Sequence, residues 1–190
     1  MLDNTNYFCK KNHRCMSKKI AVGEIVSQLF SGNDEQVKKA ISVIQENPSL
    51  DYILPLMALF FETNEGEFKE ELRQILGSIK VKEFEEHLMQ ALRKPEWKSH
   101  RGQIMAFMWN AGGNPVQYVR ELVGMAVEGG METLLECYSI IDTMEGPLLE
   151  EQLIESQTFL NHTYQAMPDG HAKQIVAMIS NVMAEKEVED

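Results

Sequence analysis

LPLMALFFETNEGEFKEELRQILGSI, Leu54 to Ile79, is the stretch that decides the fold. In its first half Leu56, Leu59 and Phe60 fall at helical spacing, and Met57 and Phe61 widen the stripe. Such a stripe buries one face of a helix against a neighbour. Pro55 stands near the start, where a missing N–H costs least. Glu62 to Gly66 is a short polar break, in which Thr63 or Asn64 reads as an N-cap. Glu65, Glu67, Glu70 and Glu71 crowd the next helix start, where carboxylates suit the positive end of the dipole. The second half carries Phe68, Leu72, Ile75, Leu76 and Ile79 on one stripe. Gly77 reads as a close helix contact or the start of an exit turn. Two helices joined by so short a link are antiparallel neighbours.

The same plan extends in both directions. Upstream, Ile20, Ile25, Val26, Leu29 and Phe30 make a stripe that Gly32-Asn33-Asp34 interrupts. Val37, Ala40, Ile41 and Ile44 make the next, closed by Pro48. Downstream come Phe84, Leu88, Met89 and Leu92, then Trp97, Ile104, Met105, Phe107 and Met108. Beyond Gly112-Gly113-Asn114, Pro115 opens a segment with Val119, Leu122, Val123 and Ala126. After Gly129-Gly130 follow Leu134, Leu135, Tyr138, Ile141 and Met144. Pro147 then opens a helix with Leu149, Leu153, Ile154 and Phe159, and a last helix carries Ile175, Val176, Ile179, Val182 and Met183. Ile44, Leu76, Met108 and Ile141 hold matching places, 32 or 33 residues apart. A fixed period in that range marks stacked helix pairs, and the alternative is a non-repetitive helical bundle. Period-2 alternation is missing, so no strand reading competes.

Leu54-Pro55, the apolar run Leu56 to Phe61, Phe68-Lys69 and Leu76-Gly77 together resemble a HEAT repeat, one unit of an α-solenoid. Asp34-Glu35-Gln36-Val37-Lys38-Lys39-Ala40 resembles the turn and second-helix start of another unit. The chain departs from the family pattern at Thr63, often Asp, and at Lys69, usually Arg. The Asp/Arg ladder between units is therefore expected to be weak or absent. The resemblance implies an all-α, right-handed α-α superhelix of about four to five antiparallel helix pairs. The expected organisation is a poorly ordered tail over residues 1–17, a HEAT-like domain over 18–185 and an acidic end over 186–190, with fraying from Glu185. Met16-Ser17-Lys18-Lys19 reads as an alternative start.

Composition narrows the function. The 190 residues suit one domain or a short repeat array, and 44% apolar content is that of a globular protein. No run approaches the roughly 18 apolar residues of a membrane span. The first residues have no apolar core of a secretory signal, which makes a cytoplasmic location the expectation. Three cysteines give no disulfide framework. A net charge of −11 opposes nucleic acid and anionic membranes as partners. It is compatible with a basic protein or peptide, although its commonest meaning is solubility.

Chemistry-bearing residues are few. Cys9, His13 and Cys15 carry zinc-type donors, but a fourth ligand is missing and the spacing is not that of a zinc ribbon. Glu83 and His87 are spaced i, i+4 on one expected helix; a metal site in a helical bundle needs two such pairs. Cys137 falls on an apolar stripe without a basic neighbour and reads as a core thiol. Arg101 aligns with Lys69, and Trp97 and Trp109 read as core before groove. Phosphate-loop, dinucleotide and nucleophile-elbow motifs are absent from the sequence. No catalytic, cofactor-binding or metal residue is therefore assigned, and no cofactor is expected.

The function that the resemblance implies is a non-catalytic protein-interaction scaffold or adaptor. Its alternatives are an enzyme, such as a metal-dependent lyase, or a nucleic-acid binder on the same scaffold, the latter opposed by charge. Solenoids of this kind present a concave face made by the second helix of each pair. In this register those helices are centred on Leu56, Leu88, Leu122 and Leu153. Glu83, Glu86, Gln90, Gln117, Arg120, Glu121, Glu150 and Glu151 are the expected binding residues there.

Overall fold

The computed structural model describes residues 22–189, and within them the fold is all-α. The expected 1–17 tail and the Cys9, His13, Cys15 cluster lie outside the described residues. The chain divides into two compact units, one ending at Leu76 and one starting at Gly77.

The N-terminal unit holds helical residues 22–29 (α1), Asp34–Glu46 (α2) and Ile53–Glu62 (α3), and most of Glu67–Ser78 (α4). Asn33 and Asp34 both suit the start of α2, and Asn33 is the cap: its side-chain oxygen accepts from the Gln36 N–H at 3.1 Å. Such a cap is worth about 1 kcal/mol. Ser49 caps a 3-10 turn, Leu50–Tyr52, that leads into α3. Pro55 is the third residue of α3, so its absent N–H removes no intrahelical bond. Thr63 closes α3 instead of capping α4, for its hydroxyl donates to the Leu59 carbonyl at 2.7 Å. The polar break thus ends one helix more than it starts the next. Ile53, Leu56, Met57 and Phe60 of α3 and Leu72, Ile75 and Leu76 of α4 are buried. Lys69 and Arg73 of α4 lie 5.0 and 5.4 Å from the Phe60 ring and cover it. Cations so placed on an aromatic face contribute about 0.5–1 kcal/mol each.

The C-terminal unit contains Phe84–Leu92 (α5), Arg101–Asn110 (α6), Val119–Gly129 (α7), Met131–Thr143 (α8), Glu150–Ala166 (α9) and His171–Ala184 (α10). Helix α8 is its centre and packs against α6, α7 and α10, while α9 packs against α7 and α10. Leu134, Cys137, Ile140 and Ile141 form the buried side of α8. Each such apolar side chain contributes about 1.5–3 kcal/mol when fully buried. The approach of α6 to α8 is close at Gly102, where a Cβ would lie 2.7 Å from Cγ of Glu132.

Several expectations change here, beginning with Trp109, which is 41% exposed where a core place was expected. Leu135 is 47% exposed, because the buried side of α8 is centred on Cys137 and Ile141 and Leu135 points away from it. Helix α9 begins at Glu150, and its buried residues are Ser156 and Leu160; Leu149 and Ile154 are exposed. Up to Glu189, the segment expected to fray is joined to the rest of its unit. Leu148–Leu149 (β1) pairs in parallel with Val188–Glu189 (β2), and Lys186 donates to the carbonyls of Asp142 and Met144 at 3.1 and 2.7 Å. A lysine suits the negative end of α8, whose last carbonyls have no helical partner. Met144 is buried as its stripe predicts.

Candidate functional site

The expected binding residues fall on α5, α7 and α9 of the C-terminal unit. Glu86 and Gln90 are exposed on α5, and Glu83 is exposed at its N-cap. Glu83 has φ +68°, the left-handed region that non-glycine residues seldom occupy. It therefore does not share a helical face with His87; instead the His87 ring Nδ1 lies 3.2 Å from the Glu83 carbonyl oxygen. Gln117 is exposed in a 3-10 turn, Val116–Tyr118, and Glu150 and Glu151 are exposed in the first turn of α9. Carboxylates in a first turn are stabilised by the helix dipole.

Arg120 and Glu121 are half-buried and serve the joints between helices. Glu121 accepts a two-pronged pair of bonds from Arg93, at 2.8 and 2.7 Å, which ties the end of α5 to α7. That bond is the main reason the Arg93 pKa stands above its ordinary value. Arg93 also sits 5.6 Å from the Tyr118 ring. Arg120 reaches α9, where it lies 4.7 Å from the Phe159 ring and 3.8 Å from Glu155. Gln152 of α9 donates to the Gln117 carbonyl at 3.1 Å. Planar guanidinium groups suit both tasks, as a fork for carboxylate and as a plate for a ring.

Two further ties link neighbouring helices. Arg101 starts α6 and donates back to the Leu92 carbonyl at 3.2 Å and across to Glu128 at 3.1 Å. The bond from Arg101, with Lys98 adding to it, holds the Glu128 carboxyl below the usual carboxylate range. Arg101 thus reaches a different helix, whereas Lys69 pairs nearby in the chain, with Glu65 at 2.9 Å. Asn114 makes the second tie. Its N–H donates to Glu85 at 3.1 Å, its amide donates to the Glu145 carbonyl at 2.8 Å, and its side-chain oxygen accepts from the Glu145 N–H at 3.1 Å. Sequence reasoning missed Asn114 and Glu155, and it read Arg93 as part of a small cationic patch with Lys94, Lys98, His100 and Arg101 instead of pairing it with Glu121. Asn114 carries one mark, its place in the Gly112-Gly113-Asn114 turn, but its partners stand 29 and 31 residues away. Arg93 and Glu155 carry no comparable mark.

As chemistry, the arrangement is a polar, mostly acidic surface on three adjoining helices. Among the described residues no group of three or more His, Cys, Asp or Glu is placed to hold a metal ion. Cys137 is fully buried, and burial pushes its thiol up to about 12, which keeps it from acting as a thiolate. On α8, burial first and the neighbouring Glu132 second raise the Glu136 carboxyl. An open cleft of about 500 Å³ between α9 and α10 mixes Gln157, Asn161, Ser180 and Asn181 with the apolar Leu160, Val176 and Ala177. Gln157 and Ser180 bond to each other across it. No described helix is long and apolar enough to cross a membrane. Comparison with protein-family models, with curated proteins and with solved structures finds no match.

Proposed function

We propose that this chain is a non-catalytic protein-interaction scaffold of HEAT-like helix pairs that works in the cytoplasm on a partner with a basic surface. Burial of Ile44, Leu76, Met108 and Ile141 at their regular spacing supports the repeat reading. The observation that carries the binding role is the row formed by α5, α7 and α9. Arg93–Glu121 and the reach of Arg120 to Glu155 and Phe159 hold those helices together. Glu83, Glu86, Gln90, Gln117, Glu150 and Glu151 stay exposed around the ties. A surface whose own side chains are already braced loses little further entropy on binding. Its excess of carboxylates steers a cationic partner and disfavours an anionic one.

Affinity capture from the native source, with and without Glu86→Lys plus Glu151→Lys, tests the reading. The expected result is a basic protein recovered with the unaltered chain and lost, at about tenfold or more, with the reversed charges. Equal recovery by both chains would remove the α5/α7/α9 row as the binding face.

A further inference from the structure

The N-terminal unit holds a recessed surface of different chemistry from the acidic row. A groove of about 520 Å³ opens where the α1–α2 turn meets the end of α3 and the start of α4. Its apolar lining is Leu29, Phe30, Val37, Leu59 and Phe68. Leu29 is buried, Val37, Leu59 and Phe68 are half-buried, and Phe30 is 45% exposed. An exposed phenylalanine beside three half-covered apolar side chains leaves area that a partner would remove from water. Asp34, Lys38 and Glu62 also line the groove. Among the described residues neither Asp34 nor Glu62 forms an ion pair. From residue 22 to residue 76, acidic side chains outnumber basic ones by six.

These features select an occupant. An acidic segment would bring like charges against Asp34 and Glu62. A purely apolar one would desolvate both carboxylates without supplying partners. A cationic amphipathic helix meets both requirements, with an apolar stripe for the groove and Lys or Arg for its edge. We propose that this groove docks such a segment from a partner protein. Its apolar side chains lie against Phe30, Leu59 and Phe68, and its cations meet Asp34 and Glu62. The site shares no residue with the α5/α7/α9 row, so either surface can fail its test without the other.

The probe is a synthetic helical peptide of about 15 residues, four turns, with Leu at i, i+3, i+4 and i+7 positions and Lys elsewhere. It is titrated into the nitrogen-labelled full chain, and amide shifts are followed. The expected shifts lie within residues 29–38 and 59–68. Affinity should fall about tenfold or more in Phe30→Asp and in Asp34→Lys with Glu62→Lys. A peptide of the same composition in scrambled order, which keeps the charge and loses the stripe, should leave those amides unmoved. Shifts elsewhere, equal binding of the scrambled peptide, or full affinity in Phe30→Asp each overturn the proposal. So would selective filling of the groove by a peptide of this chain's residues 1–21, which would make the occupant its own. Self-association that Phe30→Asp abolishes would do the same by pointing to a second copy.

Discussion

Leu76 is fully buried and Glu86 is exposed on α5. Leu76→Ala removes apolar contact and leaves a cavity that close-packed surroundings fill only in part, at a cost of about 2–5 kcal/mol. Glu86→Ala should change stability by less than about 0.5 kcal/mol. Urea denaturation of both variants reads the difference, and equal midpoints would show the assigned faces to be wrong. Cys137 belongs to the same scale. Its place on the stripe with Leu134 and Ile141 makes it a packing residue, and its raised pKa follows from that burial.

Between elements, the ties fall at helix ends and in turns. Arg93 follows the last residue of α5, Arg101 begins α6, and Asn114 lies in the turn before α7. Backbone groups at helix ends lack intrahelical partners, so side chains find acceptors there. Asn114→Ala removes two bonds to Glu145 and spares the backbone bond to Glu85. At about 0.5–1.5 kcal/mol for each bond, the expected loss is about 1–2 kcal/mol because the site is exposed. Hydrogen exchange should show the segment around Glu145 opening more readily, whereas unchanged protection there would mean that Asn114 ties nothing.

At the scale of the molecule, the end of the chain contributes to the unit it closes. Val188–Glu189 pairs with Leu148–Leu149, and Lys186 binds two carbonyls at the end of α8, more than 40 residues earlier. Contacts that far apart in sequence constrain the α8–α9 connection more than any local turn does. Removing residues 185–190 should therefore lower the melting temperature by several degrees, since about 1 kcal/mol corresponds to roughly 2–4 °C in a chain of this size. Lys186→Met should reproduce about half of that fall. A melt unchanged by the deletion would mean that the terminal pairing is not occupied in solution. The net charge of −11 acts at this scale too, through mutual repulsion between like-charged copies.

Sequence alone determined the helical class, the breaks between helices and the buried places of Ile44, Leu76, Met108 and Ile141. Burial on one side of a helix imposes a period, and a period is visible in one chain. It also narrowed the cap of α2 to Asn33 or Asp34 and marked Cys137 as a core thiol, because each depends on its own neighbours. Only the tertiary structure decided which side of α8 and α9 faces inward. Leu135, Leu149 and Ile154 are as apolar as the residues that are buried, and their exposure depends on where α6, α7 and α10 lie. It alone joined Arg93 to Glu121, Arg120 to Phe159 and Lys186 to α8. Those pairings need side chains from distant parts of the chain to arrive at one place, which local periodicity does not encode. The groove at Phe30 has the same origin: four helices supply its lining, and no single stretch of sequence contains it.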